Sequence, residues 1–217
     1  MPRMPESIYI IGAGGHGKVA IAAARASRIC VAGVFDDDTA QQGRMLLGVP
    51  VLGNIRSIMT ARRLPALIAI GDNRRRLSLA EELDLPWATV VHPAAYVDPS
   101  VAIGKGTLVL ARAVIQVDAL IGEHAIVNDN ATVEHDCRVG AAAHVACGAC
   151  LAGGATVGQC ALVGAGAVLL PGVHVGNHAT VGAGAVVVDS LPNGATAVGV
   201  PARMISGSSG RKLDAAA

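Results

Sequence analysis

Val133-Glu134-His135-Asp136-Cys137-Arg138 is one unit of a repeat that decides the fold. Six residues back stands Val127, then Ile121 and Ile115; six forward stands Val139, then Val145 and Leu151. The register holds from Val91 to Val187 through seventeen units, and every first position is Val, Ile or Leu. The fifth position is mostly Ala, as in Ala125, Ala131, Ala143, Ala149 and Ala155. The second is often Gly, as in Gly104, Gly122, Gly140, Gly158, Gly164, Gly176 and Gly182.

A period of six suits neither an amphipathic helix nor plain strand alternation. It suits a coil in which each six supplies one short strand and one turn. The aliphatic points inward, the small fifth residue packs beside it, and the second-position Gly is expected to take dihedrals that side chains resist. Three sixes close a triangular coil, so seventeen make nearly six coils, a prism about 27 Å tall at roughly 4.8 Å per stacked strand. One unit cannot bury its aliphatic alone; stacking makes the core continuous.

The remaining composition narrows the function. Net charge is +1 with 15% charged residues, which offers no basic face to nucleic acid. Aromatics are 2% of the chain, natural for a core of Val and Ala and poor for base stacking. Mean hydropathy is +0.51, yet Gly and polar breaks such as His144, Gln159, His174 and Asn177 interrupt the charge-free span, so no membrane insertion is expected. Met1-Pro2-Arg3 leads straight into a strand, so no signal peptide is expected either. Five cysteines, an odd number, suit a reducing cytoplasm. Cys147-Gly148-Ala149-Cys150 has C-x-x-C form without a second pair, and no metal is expected. His174 and His178 would share a face only on a helix, so on a coil they read as turn residues.

Ahead of the repeat, residues 7–11 read as a buried strand that runs into Gly12-Ala13-Gly14-Gly15-His16-Gly17. A helix is expected over 18–27, a strand over 29–35 closed by Asp36-Asp37-Asp38, and a loop over 38–50. Asn54 can cap a short helix to Thr60; strands follow at 66–70 and 87–91, with a helix at 74–83 between them. Alternating strands and helices imply a small parallel sheet. The domain division is therefore 1–90, 91–192, and a C-terminal segment 193–217 whose last dozen residues read as a disordered tail. The fold class is a Rossmann-like α/β domain followed by an all-β parallel β-helix.

Gly12, Gly14 and Gly17 match G-x-G-x-x-G, with Asp36 some twenty residues on. A full dinucleotide domain has no room here. A mononucleotide or nucleotide-sugar fits better, its phosphates on backbone N–H groups of Gly14, Gly15 and the helix start, its base or ribose on Asp36 or Asp37. A plain tight turn is the bland alternative. Within the repeat, His135 is a third-position residue and points outward beside Glu134 and Asp136. A histidine with a carboxylate partner can serve as general base near neutral pH. His124 and His178 read as solvated turn residues.

The hexads, Gly12-Ala13-Gly14-Gly15-His16-Gly17-Lys18-Val19, the Asp36–Asp37 pair, Ile70-Gly71-Asp72-Asn73 and the closing Gly199-Val200-Pro201-Ala202-Arg203 together resemble one family. It is the hexapeptide-repeat sugar acyltransferases of the sialic acid O-acetyltransferase-like, bacillosamine and perosamine N-acetyltransferase group. The resemblance implies a left-handed β-helix, acetyl-CoA as co-substrate and no metal. It also implies a cytoplasmic homotrimer of side-by-side prisms that N-acetylates a nucleotide-linked 4-amino-4,6-dideoxy sugar (UDP-, GDP- or dTDP-linked) for surface glycans. It places His135 and Asp136 in catalysis, His16, Gly71 and Asn128 near the acceptor, and His144, Gly153, Ala165 and Ala183 against acetyl-CoA. In one subunit His144 should lie on a different face from His135. Two alternatives stay open: O-acetylation of a sugar or sialic acid, and a non-catalytic nucleotide-sugar-binding protein.

Overall fold

The computed structural model describes residues 5–205; the expected disordered tail lies outside them. The N-terminal half is a five-stranded sheet. Its elements are β1 (Ser7–Ile11), α1 (Gly15–Ala26), β2 (Cys30–Phe35), β3 (Met45–Leu46), β4 (Val49–Gly53), a 3₁₀ turn (Ile55–Thr60), β5 (Ala66–Ile68) and α2 (Asn73–Glu82). The strand order is β3-β4-β2-β1-β5, parallel except for the β3–β4 pair. Ile8, Ile10 and Ile11 are fully buried, as a central parallel strand covered on both faces requires.

Three expectations for the chain ahead of the repeat need correction. The 38–50 stretch is not all loop: it holds β3 and the start of β4, an antiparallel hairpin turning at Leu47-Gly48, both at positive φ. The helix α1 starts at Gly15, so the last glycines of the loop already belong to its first turn. The strand expected over 87–91 does not extend the first sheet beyond a single Ala66–Trp87 bridge. Instead Val90–Val91 pairs with Leu108–Val109 and opens the first coil.

From there the coil rule holds: Val114–Ile115 pairs with Thr132–Val133, which pairs with Cys150–Leu151, each one coil apart. Three parallel stacks result. First and fifth positions fill the shaft; Val109, Ile115, Val127, Ala131, Val133, Val145 and Ala149 are all at 0% exposure. The role expected of Gly is reversed. Positive φ falls at the fourth position, on Gly148 and Gly166 but equally on Asn130, Asp136 and His178. Second-position Gly is needed for closeness: a Cβ at Gly140 would lie 2.6 Å from the Gln159 N of the next coil.

The two halves share a core. Leu108 and Ile126 point outward from their stack, yet each is 1% exposed, and Leu108 packs with Ile8, Ile21 and Ala24 of the first domain. Burial of such a side chain is worth about 1.5–3 kcal/mol. Ser27 Oγ donates to the Val91 carbonyl across the same seam, at 2.9 Å.

Candidate active site

The turn after Thr132–Val133 carries Glu134, His135 and Asp136 on one corner of the prism. Asp136 has φ of 60°, and its N–H donates to the Val117 carbonyl one coil below at 3.1 Å. That tight turn brings Asp136 Oδ2 to 2.7 Å from His135 Nδ1. The hydrogen bond to Asp136 raises the His135 pKa above its ordinary value, with the charges of Asp136 and Glu134 adding to it. Both side chains are exposed, at 57% and 66%. One coil above, Gly153 leaves room for the ring: a Cβ there would stand 2.6 Å from His135 Nε2. The His135 edge away from Asp136 thus overlies bare backbone, open to a reactant.

His144 lies in another stack, on the strand His144–Val145, facing the first domain. Its ring centroid is 6.1 Å from that of His16, and its Nε2 is 3.1 Å from Asn128 Nδ2. Asn128 Oδ1 accepts from the Asp129 N–H at 2.8 Å, which orients the amide with its NH₂ toward the imidazole. Burial, then the nearby Arg76 charge, hold His144 down at about 3 and His16 at about 4. His16 Nε2 is buried without a partner. The structure therefore gathers His16, Asn128 and His144, and leaves His135, Asp136 and Gly153 on a different corner. Ala165 and Ala183 are exposed on the turns that follow the His144 stack, not on the Gly153 corner.

In the first domain, Gly14 caps α1 without any side-chain hydrogen bond, and the first turn carries no acidic residue. The start of the helix lies at exposed Gly14 and Gly15 with no side chain capping it, an arrangement suited to an anion. Asp36 is occupied locally, since its two oxygens accept from the Ala13 N–H at 2.5 Å and the Asp38 N–H at 2.8 Å. It shapes the glycine loop. Asp37 accepts from the Ile55 N–H at 3.0 Å and stands 3.4 Å from Arg75, half exposed at the edge of a cleft with Asn54 and Arg56. Gly71 closes β5 on the neighbouring loop.

His124 departs from expectation. It is 3% exposed, with its ring edge-on to Trp87 at 4.8 Å, and burial lowers its pKa to about 4. His178 is exposed. Sequence reasoning also missed Arg76, which is fully buried between the halves. The signal was its place three residues before Leu79, on the apolar face of α2. Among the described residues, no group of three or more His, Cys, Asp or Glu is placed to hold a metal, and no helix is long and apolar enough to cross a membrane.

Residues 7–83 match the PglD N-terminal domain, and residues 154–189 the bacterial transferase hexapeptide (six repeats). The chain is similar to a histidine mutant of perosamine N-acetyltransferase from Caulobacter crescentus, whose structure was solved in complex with CoA and GDP-perosamine. Identity is 42%, the match covers 93% of this chain and 97% of that one, and the TM-score is 0.89. It is also similar to the acetyltransferase domain of PglB from Neisseria gonorrhoeae FA1090 in complex with acetyl coenzyme A. Here identity is 36%, coverage 93% and 100%, and the TM-score 0.88. A UDP-N-acetylbacillosamine N-acetyltransferase of Bacillus subtilis (strain 168) is 39% identical over 116 residues, 49% of this chain and 52% of that protein.

Proposed function

The chain belongs to the hexapeptide-repeat sugar N-acetyltransferases with a PglD-type N-terminal domain, and from that premise we propose that it acetylates the 4-amino group of a nucleotide-linked 4-amino-4,6-dideoxy sugar from acetyl-CoA. The observation that carries the chemistry is the His135–Asp136 pair, held at 2.7 Å over the open floor of Gly153. The neutral sugar amine attacks the thioester carbonyl, forming a C–N bond. His135 Nε2 takes the proton that nitrogen sheds, while Asp136 holds Nδ1–H and steadies the imidazolium. Collapse of the tetrahedral intermediate breaks the C–S bond, and the proton passes to the CoA thiolate. Backbone N–H groups of the coil turns are the available donors to the oxyanion.

The acceptor's diphosphate fits the uncapped start of α1 at Gly14–Gly15, with Asp37 the freer of the two aspartates for a ribose or base. Residues 1–90 then form the nucleotide-sugar half, 91–192 the acyl-transfer half, and 193–217 the closing segment. The division between the His135 corner and the His16–Asn128–His144 face suggests that neighbouring copies complete each other's sites, as a homotrimer would allow. Val117, Leu170 and Val188, at 44%, 39% and 37% exposure around the His135 corner, supply an apolar stripe for such packing. Acetyl-CoA and nucleotide sugars are substrates of the cytoplasm, where we place the enzyme.

The test is CoA thiol release from acetyl-CoA with GDP-perosamine, dTDP-4-amino-4,6-dideoxyglucose and the corresponding UDP-linked amino sugar. One of the three should be turned over; release with none of them, or only with a sugar lacking the amine, sinks the proposal. Sedimentation that finds only monomer at micromolar concentration would remove the shared sites.

A further inference from the structure

Arg76 has no exposed surface, and its hydrogen bonds bridge the two halves. Nη1 donates to the Ile70 carbonyl at 2.7 Å, Nε to the His124 carbonyl at 2.8 Å, and Nη2 to the Ala142 carbonyl at 2.8 Å and Asn73 Oδ1 at 2.7 Å. Asn73 in turn donates its amide to the Cys160 and Ala161 carbonyls at 3.2 and 3.0 Å. His124, Ala142 and Cys160 are the fourth-position residues of three successive coils. Two side chains from one turn of α2 thus grip a ladder of three equivalent turn carbonyls. The same guanidinium holds the end of the loop that contains Gly71.

None of these bonds reaches a carboxylate, although burial lowers the Arg76 pKa only to about 10 and leaves it charged at neutral pH. A buried cation that no carboxylate touches is expensive, and an apolar side chain of similar volume would fill the junction at less cost. An apolar side chain would not fix two separate stretches of backbone at once. The guanidinium can, because its donors fan out in one rigid plane; a lysine ammonium has three donors on a flexible stem and cannot span both.

We propose that Arg76 is a positioning residue that sets the Ile70–Asn73 loop of the nucleotide-sugar half in fixed register with the β-helix turns. It rests on the acceptor site proposed above. The register matters because the loop bears Gly71 on the acceptor side, while the ladder leads to Ala143 and His144 on the β-helix side. Loosening it displaces the acceptor, while Gly153, Ala165 and Ala183 on the acyl-donor side lie on turns that carry none of these bonds.

Arg76→Lys and Asn73→Ala, made in the full-length chain, test this. With whichever of the three nucleotide amino sugars the wild type uses, each variant should raise the acceptor KM by at least ~10-fold and change the acetyl-CoA KM less than ~2-fold. Hydrogen exchange should quicken in the 69–73 loop and in the turns at 124, 142 and 160, with the rest of the coil unchanged. Asn73→Ala, at a half-buried position, covers the case in which Arg76→Lys folds poorly. Equal rises in both KM values, or unchanged KM values with unchanged exchange, overturn the proposal. If the wild type acetylates none of the acceptors, the functional reading fails, and exchange alone decides for Arg76: local loosening supports the tie, and no local change sinks it.

Discussion

His135 and His144 stand nine residues apart in sequence and in opposite environments. His135 is exposed on a corner, tied to a carboxylate, and its pKa is pushed up. His144 is wedged between the two halves, tied to an amide, beside a buried cation, and its pKa is pushed down to about 3. The coil sets this difference through hexad position together with which face the first domain covers. A third-position side chain leaves the prism at a turn; a sixth-position side chain lies flat on a face, and this face is the one the first domain covers. One ring is therefore kept basic enough to accept a proton. The other stays neutral, able to offer or receive a hydrogen bond without carrying charge.

The largest effect that would sharpen the contrast is on turnover. His135→Ala should lower kcat by about 10²–10⁴-fold, the usual worth of a positioned base, with little change in acetyl-CoA affinity. Steady-state kinetics decides it, and near wild-type turnover at every pH would give the role to another residue.

A smaller effect separates the dyad from the substrate's own ionisation. A general base works in its neutral form, so the rate is lost as pH falls through the raised His135 pKa. The acceptor's ammonium also contributes an acid limb, and one profile cannot tell the two apart. Asp136→Asn removes the main cause of the raised value, the hydrogen bond and charge of the carboxylate, and leaves the substrate untouched. It should shift the limb toward lower pH and cost on the order of 10-fold in kcat. A limb that stays in place would belong to the acceptor amine, and the dyad would lose its claim to it.

Much of this is legible in the sequence, for a physical reason: a repeat multiplies its signal. Seventeen aliphatics in register leave one architecture, and a histidine beside an acid on a turn position stands out against it. What escaped was of three kinds. Second-position Gly invites a reading of backbone freedom, whereas close stacking against Gln159 and its equivalents is what excludes a Cβ. Turn conformation and coil contact both select Gly, so composition alone does not separate them. The junction escaped because it belongs to neither half. Arg76 stood in the run Arg74-Arg75-Arg76 of a stretch expected only to be helical, and His124 sat at a turn position where residues such as Asn130, Asp136 and His178 are exposed. The hairpin at 45–53 was hidden by Pro50, which an edge strand tolerates and a pattern search penalises.

The smallest effect concerns stability, and it tests the buried side of the comparison alone. In the unfolded chain a histidine titrates near 6.5. In the folded state His144, His16 and His124 titrate at about 3, 4 and 4. Between those values the unfolded state binds more protons, so protonation favours unfolding. The contribution of each neutral ring is fully present above about pH 6.5 and is lost progressively as pH falls toward the folded values. His135 has the opposite sign: its raised pKa gives stability below 6.5 that fades as pH rises through the folded value. Lowering pH from 7 to 4.5 should therefore reduce Tm, and His144→Gln, which keeps a hydrogen-bonding side chain and cannot titrate, should reduce that loss by ~3 °C or more. His135→Gln should not reduce it. Thermal melts of the wild type and both variants at the two pH values suffice. Equal acid losses in His144→Gln and wild type would mean that His144 is open to water and protonated in the folded protein, and the contrast between the two histidines would fail.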